Sequence, residues 1–68
     1  MITLMTTVKQ LRIKQFLSQE DLAKKSGMTV STINRLENGK QKPRFATIRK
    51  LAKALNVKPE NIKWIVDI

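Results

Sequence analysis

Apolar residues return at steps of three and four along most of the chain, and alternate with their neighbours only at its two ends. Thr6-Thr7 precedes Val8, Leu11 and Arg12, which predicts a capped first helix running to about Gln15. Ser18 opens a second helix. With Asp21 three residues on it makes a capping-box variant, and Leu22 and Ala23 face inward. Ser26-Gly27 stops that helix, Thr29 caps a third carrying Ile33 and Leu36, and Gly39 closes the third. After a basic loop at residues 40–44, Phe45, Ile48, Leu51, Ala52 and Leu55 define the apolar face of a fourth helix, ended by a left-handed Asn56. Lys58-Pro59-Glu60 reads as the start of a fifth, with Pro in its first turn, Ile62 buried and Ile65 or Val66 following. Ile2 and Leu4 at one end and Trp64, Val66 and Ile68 at the other alternate instead. They predict short strands that pair within a subunit or between two, or an apolar cover over one core.

Size and charge narrow what such a set of helices does. Sixty-eight residues make one domain. A chain this short buries only about 60% of its unfolded surface, so its core is marginal. It has no cysteine for a disulfide or thiolate metal site. It has no histidine, the commonest general base and metal ligand. Fourteen Lys and Arg against five Asp and Glu leave a net charge of +9, a field that calls for a polyanion, nucleic acid before membrane. No apolar run approaches the ~20 residues of a membrane span. The opening Met1–Met5 stretch is too short for a signal peptide, so a cytoplasmic protein is expected.

The second and third helices carry the most specific signal. Only Gly27 and Met28 separate Ser26 from the cap Thr29, so the two helices must cross steeply. Ala23 is small enough for the crossing, Gly27 supplies a positive φ four residues later, and Ile33 and Leu36 seat the third helix on the second. This is helix-turn-helix spacing. Glu37 stands apart: at 100° per residue it falls beside the buried stripe, where a carboxylate needs a cation.

Leu11-Arg12, the run from Leu17 to Ala23, and Arg35-Leu36-Glu37-Asn38-Gly39 followed by Lys42-Pro43 resemble the phage repressor and Cro type of helix-turn-helix domain, often called Xre-like. The resemblance covers about residues 8–62. It implies an all-α, five-helix, lambda-repressor-like domain that binds double-stranded DNA as a dimer on two-fold operators, with residues 30–38 as the recognition helix. On that helix Val30, Ser31, Asn34 and Arg35 are the expected base contacts. Arg35 suits the O6 and N7 of guanine, and Val30 a thymine methyl. Gln19, Thr29, Asn38, Lys40, Lys42 and Arg44 are the expected contacts to the sugar-phosphate backbone, which position without reading sequence. The resemblance also pairs Glu37 with Arg12 as a structural ion pair. Phe16 departs from the pattern, which has Gly, Asn or a polar residue there. Either the turn is built differently or the ring covers apolar surface. Ile13 is apolar where a polar residue is commoner.

The resulting expectation is a transcriptional regulator, a repressor, working as a homodimer without cofactor or metal. The dimer seam is expected at Ile2, Leu4, Trp64, Val66 and Ile68. The alternative is an antitoxin-like protein that binds a partner toxin and autoregulates its operon. One carboxylate with no His, Cys or second acid nearby makes no credible active site, so an enzyme is not expected.

Overall fold

The computed structural model describes residues 6–64. Strand β1 (Thr6–Thr7) leads into helix α1 (Val8–Lys14), followed by α2 (Gln19–Ser26), α3 (Val30–Glu37) and α4 (Phe45–Leu55). A single 3-10 turn at Pro59–Asn61 then delivers strand β2 (Ile62–Lys63), which pairs in parallel with β1, Thr6 opposite Ile62 and Thr7 opposite Lys63. The described residues therefore contain four α-helices, not the five expected. Pro59 does open a helical turn, but Ile62 is already extended (φ −95°, ψ 125°) and 2% exposed. From an extended backbone Ile62 reaches the core while its main chain pairs with Thr6. Ile65, Val66 and the alternating residues Ile2, Leu4 and Ile68 lie outside the described residues.

Local chemistry sets the helix boundaries. Thr7 Oγ1 accepts from the Gln10 N–H at 3.2 Å, and Gln10 Oε1 accepts from the Thr7 N–H at 3.1 Å, a reciprocal cap on α1. Ser18 and Asp21 repeat the device on α2 at 2.9 and 3.0 Å. The hydrogen bonds from Ser18 hold the Asp21 carboxyl below the ordinary carboxylate range. The carboxylate half of this cap is in place at neutral pH and weakens as acid protonates Asp21, while the Ser18 hydroxyl still accepts from the Asp21 N–H. Thr29 Oγ1 caps α3 by accepting from the Thr32 N–H at 3.2 Å. Gly27 (φ 73°) and Asn56 (φ 58°) end α2 and α4 in the left-handed conformation.

Phe16 is a surprise. It adopts φ 59°, and the residue is 93% exposed. So the phenyl neither avoids the left-handed turn nor covers apolar surface, the two alternatives the sequence offered. The turn is dictated by its neighbours: the Leu17 N–H bonds Arg12 O at 3.0 Å, closing α1, and Leu17 packs on the core. Phe16 carries the left-handed cost, about 1–2 kcal/mol for an L-residue, and returns nothing by burial. Phe16→Gly is expected to raise stability by about 0.5–1 kcal/mol in urea denaturation. A loss instead would show that the ring has a partner.

Leu22, Ile33, Leu51 and Leu55 are fully enclosed, with Val8, Ala23, Leu36, Ala52, Ala54 and Ile62 around them. Phe45, expected on the buried face of α4, is 80% exposed. It is the first residue of α4, so its side chain lies beyond the end of the core. Ile13 is also exposed. Ala23 on α2 is 4% exposed and lies in the buried cluster that includes Ile33 and Leu36 of α3. Ala23→Leu is expected to overpack it at a cost of about 1–3 kcal/mol. Melting at the wild-type temperature would mean that the crossing has room to spare.

Candidate nucleic-acid interface

The tight turn after α2 and the burial of Ile33 and Leu36 fix which way α3 faces. With those two side chains inward, Val30, Ser31, Asn34 and Arg35 point to solvent. Val30 is 39% exposed, an apolar residue on an otherwise polar face. Asn38 Nδ2 donates to Asn34 Oδ1 at 3.2 Å, one helical turn away, which leaves the Asn34 amide nitrogen free to donate outward. Thr29 has its hydroxyl engaged, capping α3 and donating to Thr32 Oγ1 at 2.9 Å.

Arg35 is steadied from the following loop. Its Nε donates to Gln41 Oε1 at 3.1 Å. That leaves the two terminal nitrogens of this exposed side chain free to donate. Gln41 was not singled out by sequence reading. A six-residue separation is no helical neighbour spacing, and only the path of the loop after Gly39 brings it back. Lys40, Lys42 and Arg44 are all exposed around the same loop, so the end of α3 and the approach to α4 carry three further positive charges.

Behind this face lies a buried polar knot. Arg12 Nε meets Glu37 Oε2 at 2.7 Å and Arg12 Nη2 donates to Glu37 Oε1 at 3.1 Å, the two-bond fork that guanidinium and carboxylate geometry favours. The carboxylate side chain is 2% exposed and the arginine 11%. Arg12 Nη1 also donates to Leu17 O at 2.8 Å. Gln19 joins from the first turn of α2, its Nε2 donating to Glu37 Oε1 at 3.1 Å. Glu37 thus ties the end of α3 to α1 and to α2. Gln19 keeps one amide hydrogen uncommitted for an outside acceptor.

Trp64 is half-buried and packs against the core. The other residues expected at a dimer seam lie outside the described residues. Among the described residues no cluster of acidic side chains is arranged to hold a metal ion, and no helix is long and apolar enough to cross a membrane.

Comparison with known proteins identifies the family. A family model of helix-turn-helix domains matches residues 8–62. An uncharacterised helix-turn-helix transcriptional regulator of Archaeoglobus fulgidus is 40% identical over 57 residues, 84% of this chain and 80% of that one. The transcriptional repressor RghR of Bacillus subtilis is 40% identical over 58 residues, and the match spans 43% of its length. Among solved structures, the restriction-modification controller protein C.AhdI of Aeromonas hydrophila is similar with a TM-score of 0.78 and 37% identity, covering 79% of this chain and 82% of that one. The chain belongs to the helix-turn-helix family of Cro/C1 type. It is a DNA-binding transcriptional regulator.

Proposed function

We propose that the protein represses transcription by binding a palindromic operator as a homodimer, each subunit laying α3 in the major groove. The observation that carries the reading is the outward face of α3, where an arginine fork steadied by Gln41 stands beside Ser31, Asn34 and Val30. Arg35 reads guanine, Ser31 and Asn34 bond base edges, and Val30 packs on a thymine methyl. Gln19, Asn38, Lys40, Lys42 and Arg44 hold the flanking backbone, joined by Thr29 once its hydroxyl proton turns from Thr32 to a phosphate. Repression is supported by the similar repressor RghR, and a regulatory role by the controller protein C.AhdI.

Two subunits are needed because one recognition helix covers too few base pairs to specify a site in a genome. A two-fold dimer sets two such helices about one turn of DNA, roughly 34 Å, apart. We propose that the seam is built from residues of the chain ends, Trp64, Val66 and Ile68 with Ile2 and Leu4. Selection of bound sequences from a random duplex pool tests the reading. A two-fold sequence with half-sites one turn apart is expected, filled by two subunits. A single unrepeated half-site, filled by one, would overturn the dimer. Removal of residues 65–68 is expected to lower cooperativity on the full site more than affinity for one half-site. Unchanged cooperativity would move the seam elsewhere.

A further inference from the structure

The interface uses few of the fourteen cations. Three of the others converge elsewhere. Between the last turn of α2 and the second half of α4 lies an open cleft of about 470 Å³, lined by Lys25, Ser26, Lys50, Lys53, Ala54 and Asn56. None of these belongs to the α3 face. The three lysines are exposed, and none is paired with a carboxylate: Arg12–Glu37 is the sole ion pair among the described residues.

Helix ends explain part of this arrangement. Lys25 lies in the last turn of α2 and Lys53 in that of α4, where cations offset the negative end of the helix dipole. Lys50 sits mid-helix and has no such role. The two helix ends also bring only about half a negative charge each, against three full positive charges. Among the described residues the cleft is left with a surplus of about two positive charges and no carboxylate paired with them. Its floor is indifferent. Ser26 has its hydroxyl committed to Leu22 O at 2.7 Å, and Ala54 offers only a methyl group.

Lining chemistry selects the ligand. No arginine is present to clamp a planar carboxylate with paired bonds, and no aromatic ring to stack a base. Lysine ammonium groups are compact, flexible point charges, suited to tetrahedral phosphates that bring several negative charges into a small volume. We propose that this cleft is a second anion site, separate from the α3 face, for clustered phosphates. Two sources share that chemistry: a small polyphosphorylated molecule, or the backbone of DNA beyond the stretch that α3 covers.

Titration of the full chain with inorganic tripolyphosphate, followed by amide NMR, tests the site. Shifts are expected to concentrate at Lys25, Ser26 and residues 50–56. The K25Q/K50Q/K53Q variant is expected to weaken that binding about tenfold or more, since each lost cation removes one counter-charge. All three side chains are exposed, so the fold is expected to survive, and the singles K50Q and K53Q provide a check if it does not. A second arm compares salt dependence on the selected duplex with that on the same duplex lengthened by a turn on each side. If DNA supplies the phosphates, the longer duplex gives the wild type a steeper dependence, by about 0.9 log units per added phosphate contact, and the triple variant does not follow. If a small anion is the ligand, the duplexes behave alike and only the tripolyphosphate response depends on the lysines. The proposal is overturned if the triple variant matches the wild type in both arms, or if tripolyphosphate shifts only α3 and the loop after it. Neither result touches the reading of α3, whose own test is the selected sequence.

Discussion

Arg12→Ala is expected to cost about 3–5 kcal/mol, the loss typical when one partner of a buried ion pair is removed. The variant strands the Glu37 carboxylate, 2% exposed in the wild type, with Gln19 as its remaining described partner, and it leaves Leu17 O without the Arg12 donor. A domain of this size is stable by roughly 3–10 kcal/mol in total, so the variant is expected to be largely unfolded or to melt far lower. At this chain length each lost kcal/mol lowers the melting temperature by about 4–8 °C. Glu37→Ala is expected to be milder, because the Arg12 guanidinium it strands still reaches water and keeps Leu17 O. Replacing both by apolar residues, Arg12→Met with Glu37→Leu, is expected to cost much less than the two losses added together, since neither charge is then left alone. Urea denaturation of the four proteins measures the coupling. Simple additivity would mean that the two side chains do not depend on each other.

The same knot shows how far the sequence could be read. Glu37 was legible as misplaced because helical periodicity alone sets it beside Ile33 and Leu36. Its partner across 25 residues needed the family resemblance. Helix starts at Thr7, Ser18 and Thr29 were legible because capping is local: the hydroxyl and the N–H it accepts lie three residues apart. So were the left-handed residues Gly27, Gly39 and Asn56. Phe16 was not. Its conformation is imposed by the Leu17 N–H bonding back to Arg12 O and by the burial of Leu17, and nothing in the phenyl group announces it. The fifth helix failed for a related reason. Pro59-Glu60 signals how a helix begins, but Ile62 finds a strand partner in Thr6 at the other end of the chain. Alternation at the two chain ends pointed to strands that pair, but it set them at Ile2–Leu4 and Trp64–Ile68 and not at Thr6–Thr7 and Ile62–Lys63, where the ladder runs. Phe45 matched the spacing of the α4 stripe, yet the stripe outruns the core by a turn.

Arg35→Ala is expected to cost about 1–3 kcal/mol in each half-site and to relax the preference at one base pair there. On a two-fold operator both subunits lose the contact, so the loss reaches roughly 2–6 kcal/mol if the halves are independent. The expectation rests on the bond from Arg35 Nε to Gln41 Oε1, which holds one edge of the exposed guanidinium and leaves its two terminal nitrogens free to donate. Bidentate donation to guanine O6 and N7 needs two such donors. Gln41→Ala should therefore weaken discrimination at the same base pair, by less, because the guanidinium survives but is free to turn. Lys42→Ala supplies the contrast. As an exposed cation beyond the end of α3, it is expected to weaken binding to all sequences alike and to lower the salt slope by about one per subunit. Titrations on the selected site, on single-base variants of it and on unrelated duplex, each at several salt concentrations, separate the roles. If Arg35→Ala lowered affinity for cognate and unrelated DNA equally, Arg35 would be a phosphate contact, and the sequence preference would have to come from Ser31, Asn34 and Val30. If Gln41→Ala left every base preference untouched while Arg35→Ala abolished one, the arginine would find its base without help from the loop.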